Sequence, residues 1–148
     1  MARPRFTIAG LMAIVFYAAV GFAALRNANA FWASATFGLA IVSISVALAA
    51  ACARQGNARA SWTGFAAASL ACLIVWLFAS ETVGFVNGPP RQLPYLGFYL
   101  LMPYVNPTAS QGGEPMIHYV HVSNSLSTIV LGLVGAFLAR LIAANGER

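Results

Sequence analysis

The chain has 148 residues, of which 60% are apolar and only 7% charged, with a formal net charge of +5. Soluble domains carry roughly 25% charged residues, so this composition excludes a surface built mainly for water and points to lipid as the principal solvent. Lys and Asp are absent and the eight arginines sit at the ends of apolar runs, which excludes a nucleic-acid patch and marks membrane topology instead.

A bilayer crossing needs about 20 mostly apolar residues, and the first such run is "FTIAGLMAIVFYAAVGFAAL", residues 6–25. Arg3 and Arg5 before it and "ANA" at 28–30 imitate a cleavable leader. The run is longer than a usual leader core and Arg26 interrupts the approach to the site, so the reading is a retained transmembrane helix. A tight turn at 26–30 leads to the second run, "FWASATFGLAIVSISVALAAACA", residues 31–53. Another turn, 54–61, leads to the third, "WTGFAAASLACLIVWLFAS", residues 62–80. Short connections make these three helices antiparallel neighbours.

Residues 81–116 form the longest polar region, with the turn-rich stretches "NGPPRQLP" and "NPTASQGGEP". Between them "YLGFYLLMPYV", residues 95–105, is apolar but too short to span. Tyr95, Tyr99 and Tyr104 suit a headgroup layer, which predicts a short interfacial helix ending near Pro103. The fourth helix is predicted over 117–142, with its apolar part from Val120 to Ala139 closed by Arg140.

Counting arginines sets the orientation. With the N-terminus inside, Arg3, Arg5, Arg54, Arg59, Arg140 and Arg148 face the cytoplasm, against Arg26 and Arg91 outside. Trp32 and Trp62 fall at segment starts, where indoles favour the interface. Lipid removes most of the hydrophobic drive between helices, so small residues must let backbones approach. Ser43, Ala47 and Ala51 offer such a stripe in the second helix, Gly64, Ala68 and Cys72 in the third. In the fourth, Gly132 with Ala136 and Gly135 with Ala139 do the same. Cys52 and Cys72 differ in predicted depth by roughly 15 Å, too far for a bridge; both read as packing residues.

The candidate chemistry lies in "MIHYVHVSNSLS", residues 116–127. His118 and His121 are i and i+3 and project from one helix face. With Glu81 or Glu114 from the same outer side they compose a two-histidine, one-carboxylate set of the kind that suits iron or zinc. The competing readings are a proton-handling role and, ahead of both, amphipathic rings resting at the headgroup layer beside Tyr119. Glu81, at the outer end of the third helix, reads most simply as interfacial. Asn124, Ser125, Ser127 and Thr128 make the outer half of helix four polar and predict a face turned toward the other helices or the outer loop. There is no Ser-His-Asp set, since the chain lacks Asp, and no Walker or dinucleotide glycine pattern tied to a strand occurs.

The opening "RPRFTIAGLM", followed by "GFAALRNANAFWASATFGLAI", resembles a group of uncharacterised small four-helix membrane proteins typical of planctomycete bacteria. Those begin with an R-F-[ST]-[IL] approach to the first helix and continue with an L-W-A-S-like start to the second. "RQGNARASWTGFA" is similar to their basic turn into helix three. "HVSNSLSTIVLGLVGAFLARL" is similar to their last helix, except that "SNSL" stands where "GHSL" is expected, placing Asn124 at a histidine position. The resemblance implies a fold and a membrane location, and no activity.

The sequence therefore predicts an all-α, integral membrane four-helix bundle of one domain in the cell inner membrane, with both termini cytoplasmic. Its outer loop carries a short interfacial helix. The expected role is non-enzymatic and without cofactors: a structural or accessory component that meets the lipid bilayer and a homo-oligomer or larger membrane complex. The alternative is metal or proton handling at His118, His121 and Glu81.

Overall fold

The computed structural model describes residues 8–82, 101–111 and 113–146. The chain is all-α, with no strand among the described residues. Four long helices follow in order among the described residues: α1 (Ile8–Arg26), α2 (Ala30–Ala53), α3 (Gly56–Thr82) and α4 (Glu114–Gly146). Backbone at 101–105 is helical, and a 3-10 turn occupies Ala109–Gln111. Three helices are long and apolar enough to cross a membrane, over Ala30–Ala53, Gly56–Phe78 and Glu114–Asn145, while α1 carries the shorter apolar stretch Val15–Arg26.

Local chemistry explains where α2 and α4 begin. Asn29 adopts extended backbone and its side chain accepts the Trp32 amide at 3.0 Å, capping α2. That role accounts for the "ANA" of the sequence. Glu114 sits in the first turn of α4, where a carboxylate favours the helix dipole, and Pro115 is tolerated there because its missing donor is unneeded.

The sequence reading placed the start of helix three six residues too late. The reversal between α2 and α3 takes only Arg54 and Gln55, because Gly56 stands at φ +61° and turns the chain at once. Asn57 to Ala60 then join the helix rather than forming a loop. Helix four likewise starts at Glu114 instead of 117 and runs on to Gly146.

The helices pack unequally. α3 and α4 form the most extensive pairing, α2 lies against both, and α1 touches α2 and α4 only lightly. α2 contributes one narrow stripe, Thr36, Ala40, Ile44 and Ala47, all buried and spaced by three or four. The predicted stripe Ser43–Ala47–Ala51 shares this side, with Ala47 fully buried. At one end, here termed the loop end, Ala24 and Leu25 of α1 pack with Met102, Ala109, Tyr119 and Val122. At the other, the turn end, Ala47 meets Phe65 and Ala66.

The expected interfacial helix is described only at 101–105, where it runs past Pro103 to Val105. Residues 95–100, with Tyr95 and Tyr99, lie outside the described residues. Tyr104 is 86% exposed, whereas Met102 is buried in the loop-end cluster.

Candidate functional site

Apart from Thr36 of α2, the polar side chains that the described helices bury lie on α3 and α4. Going from the loop end inward, His121 of α4 meets Trp76 of α3 edge-on, ring centroids 5.6 Å apart. Trp76 also leans on Phe37 of α2 at 6.0 Å, so one indole joins three helices. One turn further, Asn124 is 4% exposed. Another turn brings Thr128, whose hydroxyl donates to the Asn124 carbonyl at 3.0 Å and lies 3.6 Å from Cys72 Sγ. Ser69 of α3 crosses the seam by donating to the Thr128 carbonyl at 3.1 Å.

The hydroxyl-bearing residues around them turn inward upon their own helix. Ser123 donates to the Tyr119 carbonyl, Ser125 to His121 and Ser127 to Ser123, at 2.7, 3.0 and 2.8 Å. Each proton is thereby spent on a carbonyl four residues back, a bond that helical serines form readily. Ser123, Asn124, Ser125, Ser127 and Thr128 are all buried, as expected for a polar half of helix four that faces its neighbours.

Asn124 is the exception to this self-sufficiency. Its Nδ2 is buried and has no hydrogen-bond partner. A buried amide without an acceptor costs about 1–3 kcal/mol, so most such groups in folded proteins find one.

Below Thr128 the seam changes character. A methyl added at Gly132 would collide with Ser69 Oγ and the Phe65 ring, and one at Gly135 would lie 2.5 Å from Ala68 Cβ and from the Gly64 carbonyl oxygen. One added at Gly64 would come within 2.5 Å of Ala139 Cβ and strike the Gly135 carbonyl. The two backbones touch here, through the small residues that the sequence singled out at 64, 68, 132, 135 and 139.

The residues proposed for a metal are distributed as follows. His118 and His121 are both half-buried at the loop end of α4, and His121 is engaged with Trp76. Glu114 is exposed in the first turn of α4. Glu81 is the second-last residue of α3, and its side chain lies outside the described residues. Among the described residues no three His, Cys, Asp or Glu side chains gather closely enough to hold a metal ion. Cys72 is a buried packing residue as expected, whereas Cys52 is exposed near the end of α2 and packs against nothing in this chain's core. α2 turns that position away from its narrow contact stripe.

Sequence reasoning passed over Asn106. It is 7% exposed and ties the loop to α1 by donating from Nδ2 to the Leu25 carbonyl at 3.2 Å. Its Oδ1 accepts the Ala109 amide at 3.1 Å. The Asn-Pro dipeptide at 106–107 was the available signal, because Asn commonly bonds its own backbone to open a turn. Trp76 and Ser69 were also missed; both lie on the stripe Gly64–Ala68–Cys72 and its flanks, within reach of a helical-wheel argument.

No protein-family model, curated protein or solved structure matches the chain.

Proposed function

We propose that the chain is a four-helix integral membrane protein of the cell inner membrane, with both termini in the cytoplasm. In this reading it acts without catalysis, as a structural or accessory component that joins copies of itself or a larger membrane complex through helix faces or the outer loop. One observation carries it: the distribution of polarity is inverted relative to a water-soluble helical protein. Phe16, Phe31, Phe78, Phe137 and Ile142 are 63–73% exposed, while Thr36, Ser69, Ser123 and Thr128 are at most 2% exposed. Hydrocarbon accepts large apolar side chains freely and forbids unpaired polar groups. Even the exposed Ser45 and Thr63 bond carbonyls of their own helix, Ile41 and Arg59, at 2.9 Å, the arrangement lipid requires.

A non-catalytic role is supported by the way the buried hydroxyls are committed. Those of Ser123, Ser125, Ser127 and Thr128 donate to backbone carbonyls, which leaves them poorly placed as nucleophiles. The metal-handling alternative has less behind it, since Trp76 already occupies one side of His121 and Glu114 stands in the open.

Tag-accessibility labelling in intact cells tests the threading: both termini are expected to be protected, and termini on opposite sides would overturn it. For the accessory role, a photo-cross-linker at Tyr104 in native membranes is expected to capture a polypeptide, either a second copy or another protein. Adducts with lipid alone would remove that role. Metal analysis of purified wild type beside His118→Ala and His121→Ala decides the alternative, which requires a stoichiometric ion lost in both variants.

A further inference from the structure

The buried Asn124 carboxamide stands in a setting that specifies its missing partner. Its Nδ2 carries two N–H donors and meets no acceptor. The hydroxyls of Ser123, next to it in the chain, and Thr128, one turn on, donate to the carbonyls of Tyr119 and Asn124, so what they offer an incoming molecule is lone pairs. Donors on the amide and lone pairs on the hydroxyls are complementary to one kind of molecule: a small neutral one that accepts from the amide and donates to oxygen. An anion would meet hydroxyl lone pairs, and a cation would meet the amide protons. Water fits both, and buried waters of this kind typically make about three hydrogen bonds to groups the protein leaves unpaired.

The seam differs on the two sides of this position. Toward the loop end the same face of α4 continues to His121 and then His118, both half-buried, before Glu114 stands exposed. Toward the turn end the way is shut, because Gly132 lies against Ser69 and Phe65 and the Gly135 backbone lies against that of Gly64. The track is polar from one side and sealed at its foot.

We infer that the loop-end half of the α3–α4 seam is a dead-ended hydration site, in which the Asn124 carboxamide binds water that exchanges through the loop end past His121. The site contains no metal and performs no bond-breaking step. It holds a small polar molecule within an otherwise apolar helix assembly.

The test uses the full-length chain, labelled with 15N-asparagine, in perdeuterated detergent micelles. The Asn124 side-chain amide pair is assigned by its disappearance in Asn124→Leu, or in Asn124→Asp should the leucine variant not fold. Water is the probe. A through-space cross-peak between the water resonance and both Asn124 Nδ2 protons, retained in Ser123→Ala and in Thr128→Val so that no exchanging hydroxyl relays it, is the expected result. An assigned, sharp amide pair with no water cross-peak overturns the site. The seal is read in the same sample: backbone amides from Gly132 to Ala136 are expected to show no water cross-peak. Cross-peaks there as strong as at Asn124 would overturn the dead end.

Discussion

The two halves of the α3–α4 seam hold the same pair of helices together by opposite means. At the turn end Gly64 and Gly135 meet backbone on backbone and Gly132 lies under the Ser69 and Phe65 side chains, so the contact depends on three positions having no side chain. At the loop end the contact is made by side chains, Trp76 against the His121 ring and Ser69 donating to the Thr128 carbonyl. The first arrangement tolerates no added atom. The second is built from groups that each have a fallback, because a helical serine or threonine deprived of a partner can still bond its own carbonyl. Shape should therefore dominate one half and leave the other forgiving.

Substitutions graded by size break or sharpen this contrast. Gly135→Ile puts branched carbon where Ala68 Cβ and the Gly64 carbonyl already stand, and we expect a loss above about 4 kcal/mol in mixed-micelle denaturation. A loss below about 1 kcal/mol would mean that the helices slide apart easily and that the contrast is wrong. Tyr119→Ala empties a fully buried ring position of the loop-end cluster and is expected to cost about 3 kcal/mol in the same assay. Asn106→Ala releases the Leu25 carbonyl and the Ala109 amide together. About 1–2 kcal/mol should be lost, with faster hydrogen exchange confined to the last turn of α1 and residues 106–111.

The smaller effects discriminate more finely. Thr128→Val keeps shape and removes one hydroxyl from the polar half, so only about 0.6 kcal/mol is expected, the usual scale for such bonds between helices in lipid. A cost comparable to that of Gly135→Ile would show that the polar half is as exacting as the glycine half. Gly38→Ala serves as the control for glycine itself. A methyl there meets nothing within 4 Å, and the helix should gain about 0.5 kcal/mol from better propensity.

The sequence made the turn-end half legible because sterics there depend on residue size and spacing alone. A glycine or alanine every fourth position on two antiparallel helices leaves little choice of register, and positions 64, 68, 132, 135 and 139 met as the pattern implied. The polar half of helix four was legible as a buried face for a similar reason, since Asn124, Ser125, Ser127 and Thr128 interrupt an otherwise apolar helix and find partners only against its neighbours or its own backbone. Helix ends were less accessible. The stretch after Ala53 reads as a loop by composition, yet a single glycine with positive φ at Gly56 reverses the chain and frees Asn57 to Ala60 for the helix. Partners remote in sequence were not legible at all. Nothing near Asn106 announces Leu25, and nothing near Trp76 announces His121, because each pairing exists only after the helices have been brought side by side. Cys52 illustrates the converse: an alanine-rich context suggested packing, but which side of a uniformly apolar helix faces inward is decided by its neighbours.

The Asn106 clasp has a mechanical consequence. α1 is fastened at one extremity, where Ala24 and Leu25 are buried and the Leu25 carbonyl is held. Met12, Val15 and Phe16, nearer its start, stand 56–65% exposed. Among the described residues the buried positions of α1 are Gly21, Ala24 and Leu25, all toward its end, so the start of the first helix should be the earliest part to detach when the protein is loosened. Residues 101–111 act as the latch that holds its other end.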